Sequence, residues 1–323
     1  MSDGPEVRTR PEGLMGRLRV LLELVKFEHS VFALPYAYIG AIYGAATVAF
    51  AVPAIYPTPP PVPTPWVSLG HWPTWGALVW VTVAMVGARA FAFVVNRAVD
   101  KEIDARNPRT AARAVPAGFI TAWELWAFAA LMLAGYLVAV FQLAPLTHLL
   151  WPVPLAAFVV YPYLKRFTPL AHFWLGACLG LGAVGGWAAV GASLSDPTPW
   201  VFGAAVAVWT AGFDIIYATQ DYDCDVRDGI HSIPADYGIA EGLVITRSLH
   251  AIAFLLFVLA GYFAGAGWAY YAAVLLAGIL LAYENAIVRA HDLSRVDAAF
   301  FTVNGFVAVI VLAGVVADRL IAR

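Results

Sequence analysis

The sequence predicts an all-α polytopic membrane protein, a single bundle of about nine transmembrane helices. Two features of its composition predict this: of 323 residues 62% are hydrophobic and only 12% charged, with a mean hydropathy of +0.76, whereas soluble domains carry about 25% charged residues. A third observation fixes the class. Apolar runs of roughly 20 residues, each long enough to cross the hydrocarbon core as a helix, recur along the whole chain.

The runs fall near 22–50, 75–97, 122–141, 145–164, 170–191, 199–219, 243–264, 268–288 and 298–318. The first follows a hydrophilic arm, 1–18, with Arg8, Arg10 and Arg17, and Arg19 just beyond it. No short apolar core with a small-residue cleavage site follows, so the arm is expected to stay attached. Between the first two runs, 52–74 holds Pro53, Pro57, Pro59, Pro60, Pro61, Pro63, Pro65 and Pro73. Proline at that density opposes a continuous helix and predicts an extended external loop. Gly176, Gly180, Gly182 and Gly186 have the small-xxx-small spacing that lets helix backbones approach closely. No stretch reads as a linker, so 1–323 forms one membrane-embedded domain.

Lys and Arg alternate loop by loop. The arm, 98–120, Lys165-Arg166, 220–242 and 289–297 are basic, while 53–74, 142–144, 192–198 and 265–267 contain neither residue. The positive-inside rule then places the N-terminus inside, the C-terminus outside and every basic loop in the cytoplasm. Arg319 and Arg323 are mild exceptions. A net charge of −2 without a basic aromatic stripe argues against a nucleic-acid partner. Cys178 and Cys224 form neither a disulfide framework nor a metal-ligand spacing.

Two acidic clusters interrupt this pattern, Asn96-Arg-Ala-Val-Asp100-Lys-Glu-Ile-Asp104 and Asp221-Tyr-Asp-Cys-Asp225-Val-Arg-Asp228, at corresponding ends of spans four apart. Carboxylates near a bilayer are costly and functional by default. On a helix Asn96, Asp100 and Asp104 lie within about 80° of arc, with Arg89 on the same stripe and Glu102 opposite. Asp214, Asp221, Asp225 and Asp228 lie within about 60°, with Asp223 opposite. Four-residue spacing builds oxygen-rich sites for hard cations, and two such sites on one membrane face suggest a diphosphate bridged by Mg2+. The competing reading is an ordinary solvated loop balanced by neighbouring arginines, which the repetition of the pattern disfavours. Lys165, closing the fourth span, suits either a snorkelling anchor or a diphosphate ligand.

Asn96-xxx-Asp100-xxx-Asp104, continuing through Ala105 to Gly118, resembles the first signature of the UbiA superfamily of intramembrane prenyltransferases. Asp221-xxx-Asp225 followed by Gly229-Ile-His-Ser-Ile-Pro-Ala235 resembles the second. Tyr161-xxx-Lys165 is similar to the family's tyrosine–lysine pair, and Lys26-Phe-Glu-His-Ser-Val-Phe-Ala-Leu-Pro35 to the first helix of its 4-hydroxybenzoate polyprenyltransferase-like branch. His231, where a Lys often follows the second motif, and the Pro-rich insertion depart from that branch.

The resemblance implies helices around a central cavity, Mg2+ dependence, and transfer of a polyprenyl chain from its diphosphate to an aromatic acceptor in quinone biosynthesis. It places the protein in the inner (cytoplasmic) membrane. One Mg2+ is assigned to Asn96, Asp100 and Asp104 and a second to Asp221 and Asp225, both touching the diphosphate. Arg97, Lys101, Lys165 and Arg227 are the cations available to assist, and Tyr161, Phe93 and Tyr217 the aromatic groups available to border the pocket. Glu28 and His29 suit either interfacial anchoring or orientation and deprotonation of a phenolic acceptor. A naphthoate, a futalosine-type menaquinone precursor or haem are the rival acceptors. An ion-coupled transporter would carry its acids nearer the midplane, on broken helices.

Overall fold

The computed structural model describes residues 13, 15–17, 20, 32–55, 65–68 and 71–322. Among these, the only β-type pairings are two isolated bridges, Val67 with Pro73 and Arg289 with Asp292. The helices are α1 (Leu34–Ile55), α2 (Trp75–Val99), α3 (Lys101–Arg106), α4 (Ala122–Phe141), α5 (Thr147–Leu150), α6 (Pro152–Leu164), α7 (Ala171–Ala189) and α8 (Thr198–Ala218). After a tight turn at Thr219–Asp221 come α9 (Tyr222–Asp228), α10 (Ile233–Tyr237), α11 (Ile239–Phe263), α12 (Trp268–Ile287) and α13 (Asn304–Ile321), the last entered through a π-helical turn at Ala298–Val303.

Local sequence explains several starts. Thr74 accepts from the Ala77 amide at 3.1 Å to cap α2. Thr121 and Glu124 form a reciprocal capping box at α4, and Ser232 caps α10. Seven rods among the described residues are long and apolar enough to cross a membrane: α2, α4, α5 with α6, α8 with its extension to Asp228, α11, α12, and Ala298–Ile321. The other two, α1 and α7, have 22 and 19 residues and pack among them. The all-helical membrane bundle is therefore as the sequence predicts. One boundary moves: α1 continues through Pro53 to Ile55, so the extended segment does not begin at 52. A proline in the last turn removes at most one intrahelical bond, which is why the helix outlasts it. Most of the arm, the start of the first span with Glu28 and His29, and most of the Pro-rich loop lie outside the described residues.

Lipid tails are as apolar as leucine, so helices in a bilayer associate through close packing rather than a hydrophobic drive. Helix α7 shows how. A Cβ at Gly176 or Gly180 would overlap the carbonyl oxygens of Ala207 or Gly203 on α8, and one at Gly186 would overlap that of Ala37 on α1. Three glycines thus let α7 lie against two neighbours at once. Trp209, Phe213 and Phe300 stack edge-to-face below them, with centroids 4.9 and 5.3 Å apart. A buried polar chain joins α8, α12 and α13: Trp209 Nε1 donates to Asn304 Oδ1 at 2.7 Å, and Asn304 Nδ2 donates to the fully buried Glu284 at 2.7 Å.

Between α1, α2, α4, α6, α7 and α8 the bundle leaves a cavity of about 410 Å³. It runs from Asn96, Arg97 and Asp214 at the acid-bearing end to Leu143, Thr147 and Leu194 near the opposite ends of the helices.

Candidate active site

Asp100 sits at the break between α2 and α3, where its amide donates to the Asn96 carbonyl at 2.9 Å. It is 2% exposed, yet it carries a carboxylate. Lys165 Nζ, projecting from the end of α6, donates to its Oδ2 at 2.6 Å, and Asn96 Nδ2 donates to the same oxygen at 3.1 Å. The Arg166 guanidinium lies 3.5 Å from Oδ1, which has no hydrogen-bond partner. Burial pushes the carboxyl above its ordinary pKa and the Lys165 charge pulls it back. One turn on, buried Asp104 accepts from Arg97 Nη1 at 3.1 Å and Arg113 Nη1 at 3.0 Å.

The second cluster faces the first across the loop that follows α3. Asn107 Nδ2 donates to Asp221 Oδ1 at 2.6 Å, Arg109 Nε donates to the same oxygen at 2.9 Å, and Arg109 Nη2 donates to Oδ2. Burial alone would lower the Arg109 pKa. The paired Asp221 overcomes this and raises it. Arg109 also donates to Tyr217 Oη at 2.8 Å and lies over that ring. Asp225 accepts from Ser232 Oγ at 3.1 Å, and the His231 amide donates to the Lys165 carbonyl at 2.8 Å, tying the second motif to the end of α6. Gly229, with φ of 67°, makes the left-handed turn that ends α9 and allows this return.

Asp223 is exposed while Asp221 and Asp225 are partly shielded, the helical phase read from the sequence. Tyr161 lines the cavity with Asn96 and Arg97. Lys101 is exposed, and Arg227 is turned to Asp228 at 2.9 Å and to the Arg106 carbonyl at 3.2 Å, so the structure does not gather these two nominated cations at Asp100, Asp104, Asp221 or Asp225. It gathers Arg109, Arg113 and Arg166 instead. Arg109 and Arg113 lie in the stretch Ala105 to Gly118 that resembles the first signature, and Arg166 follows Lys165, but nothing in the sequence singled the three out from the other basic residues nearby. His172 was also missed: its Nε2 accepts from the Ile233 amide at 3.2 Å, so Nδ1 carries the proton and donates to Asp214 at 2.7 Å.

Among the described residues no three acidic, His or Cys side chains are grouped closely enough to hold a metal between them. Each of Asp100, Asp104 and Asp221 is instead met by a cation. The donor set nonetheless suits Mg2+, which takes one or two carboxylates and completes its shell with water and substrate phosphates. The unpartnered Asp100 Oδ1 is one such oxygen.

An apolar cavity inside a helical bundle, with two facing acid motifs, Lys165 and several arginines at one end, has the form of an intramembrane active site. Residues 59–309 match the model of the UbiA prenyltransferase family, and the chain belongs to that family. It is a membrane prenyltransferase. The chain is 31% identical over 258 residues to a 4-hydroxybenzoate octaprenyltransferase of Saccharophagus degradans, covering 79% of this chain and 85% of that protein. It is 33% identical over 257 residues to the enzyme of that name from Salmonella paratyphi B, covering 75% and 87%. Among solved structures, a UbiA homolog from Aeropyrum pernix K1 superposes with a TM-score of 0.74 at 32% identity, covering 90% of this chain and 98% of that one. A UbiA homolog from Archaeoglobus fulgidus bound to GPP and Mg2+ shares the fold, with a TM-score of 0.63 at 20% identity, covering 93% and 99%.

Proposed function

We propose that the protein transfers a polyprenyl chain from its diphosphate to a carboxylated phenol of the 4-hydroxybenzoate type, in quinone biosynthesis and with two Mg2+ ions. The observation that carries the acceptor class is Arg89. Its guanidinium lines the cavity, 5.0 Å from the Phe93 ring centroid, and its buried Nη1 has no hydrogen-bond partner. An arginine there calls for an anion, and a carboxylate matches its planar fork. Arg89 lies seven residues from Asn96, about 10 Å along the helix. That spacing is comparable to one substituted ring held between the arginine and the diphosphate.

In this reading Asn96, Asp100, Asp221 and Asp225 hold the ions, with Asp104 completing the first set by orienting Arg97 and Arg113. When bound, Mg2+ supplies charge stabilisation for the departing diphosphate. Lys165, Arg166 and Arg109 pair with these acids and are placed to turn to phosphate oxygens once the acids hold the ions. Lys101 and Arg227 belong to the set only as outer contacts. The apolar walls and Tyr161 exclude water from the allylic carbon, so that a ring carbon captures it. Glu28 and His29 keep both readings, interfacial anchoring and orientation or deprotonation of the phenol. The acid-bearing end faces the cytoplasm of the inner membrane, with the N-terminus inside and the C-terminus outside.

The test is turnover of purified protein with octaprenyl diphosphate, with and without Mg2+, against 4-hydroxybenzoate, its methyl ester and 1,4-dihydroxy-2-naphthoate, read by mass spectrometry. Prenyl-4-hydroxybenzoate is expected, abolished by chelation and restored by Mg2+. Arg89→Leu should raise the acceptor KM by about 10- to 150-fold, the worth of a charge-assisted hydrogen bond of about 1.5–3 kcal/mol, and leave the donor KM near its original value. Equal use of acid and ester by the parent protein would show that no carboxylate is read.

A further inference from the structure

Helix α7 carries one glycine that packing does not explain. Gly176, Gly180 and Gly186 meet neighbouring backbone, and a Cβ on Gly182 would stand 3.3 Å from the Met85 side chain. A Cβ on Gly185 would meet nothing within 4 Å, because that position opens into the cavity. Glycine inside a helix costs about 1 kcal/mol relative to alanine, and here no close approach offsets it.

The place of Gly185 along the cavity is set by its own helix. His172, in the first turn of α7, bonds Asp214 at the acid-bearing end. Gly185 follows 13 residues later, about 20 Å further along the axis. An isoprene unit adds four main-chain bonds. By the same arithmetic that gives about 3.3–3.6 Å for a three-bond peptide repeat, it extends roughly 4–5 Å. A donor anchored by its diphosphate among the acids therefore reaches Gly185 with about its fourth isoprene unit. Leu181, one turn earlier, and Ala188 and Ala189, one turn later, line the same wall.

We propose that Gly185 is the residue that sets the prenyl chain length the cavity admits: its missing side chain leaves the tail a passage toward the outer end of the bundle. This rests on the polyprenyl diphosphate donor proposed above. A bulky side chain at this position projects into the channel beyond the reach of two isoprene units and across the path of eight.

The test compares geranyl and octaprenyl diphosphate as donors in the parent protein and in Gly185→Ala, Gly185→Leu and Gly185→Trp, with the same acceptor. The ratio of kcat/KM for the long donor to that for the short one is the readout, since it divides out any common loss of folded protein. The ratio should fall in the order Ala, Leu, Trp, by at least tenfold for Gly185→Trp. The product of geranyl transfer should still be detected there. An unchanged ratio in Gly185→Leu and Gly185→Trp, with the parent active on both donors, overturns the assignment of Gly185 alone. A parent protein that transfers neither chain overturns the donor reading, and the assignment falls with it.

Discussion

Replacing Lys165 by Met keeps the apolar stem and removes the charge that meets Asp100. The structure sets the size of the effect. Asp100 is 2% exposed, and its strongest partner is the Lys165 ammonium at 2.6 Å. Breaking a buried ion pair from one side costs about 3–5 kcal/mol, because an uncompensated charge is left behind. Two features place this pair at or below the lower end. The Lys165 side chain is 27% exposed, and the Arg166 guanidinium remains 3.5 Å from the other carboxylate oxygen. Lys165→Met should therefore destabilise the fold by about 2–3 kcal/mol, roughly 30- to 150-fold in the unfolding equilibrium. Asp100→Asn removes the charge that needs the partner, so the double variant should recover about 1–2 kcal/mol relative to the sum of the single changes. Unfolding of the purified protein in mixed micelles, titrated with SDS, measures all four corners of that cycle. Additivity within about 0.5 kcal/mol would refute the view that Lys165 neutralises Asp100. Turnover is a separate readout: the donor KM or kcat of Lys165→Met should worsen while the acceptor KM holds.

Asp225→Asn should lower turnover by at least about tenfold and Asp223→Asn should leave it within about twofold, since one faces Ser232 and the site and the other faces solvent; equal losses would mean that the α9 phase is wrong. Gly186→Leu, whose side chain would meet the Ala37 backbone, should prevent stable accumulation in membranes, whereas Gly185→Ala at the neighbouring open position should accumulate normally in a fluorescence size-exclusion assay. Glu284→Leu leaves Asn304 Nδ2 without its carboxylate partner and should cost about 1–3 kcal/mol in the same micelle titration. For orientation, Ser195→Cys and Tyr237→Cys, both exposed and made in a background lacking Cys178 and Cys224, should label from opposite sides with an impermeant maleimide, Ser195→Cys from outside. Labelling of Tyr237→Cys in intact cells would reverse the topology.

The class of the protein and the carboxylates worth testing are legible in the chain alone. Hydrocarbon admits only segments whose backbone bonds are satisfied internally, so twenty-residue apolar runs could be nothing but helices, and acids placed against them needed a purpose. The i, i+4 spacing put Asp100 with Asp104 and Asp221 with Asp225, because helical phase is a local property of the chain. The glycines of α7 were likewise legible as packing positions, but not which neighbour each one met, nor that Gly185 met none. How charge is distributed around the acids emerges only in the folded bundle. Arg109 reaches Asp221 across 112 positions of sequence and Lys165 reaches Asp100 across 65, and no periodicity records such distances. From composition, Lys101 and Arg227 were as good as Arg109 and Arg113; which basic side chains turn inward depends on where the loop after α3 crosses the end of α8. The same holds for Arg89. Its stripe was readable, but its unpartnered nitrogen inside a cavity exists only once six helices have closed around it.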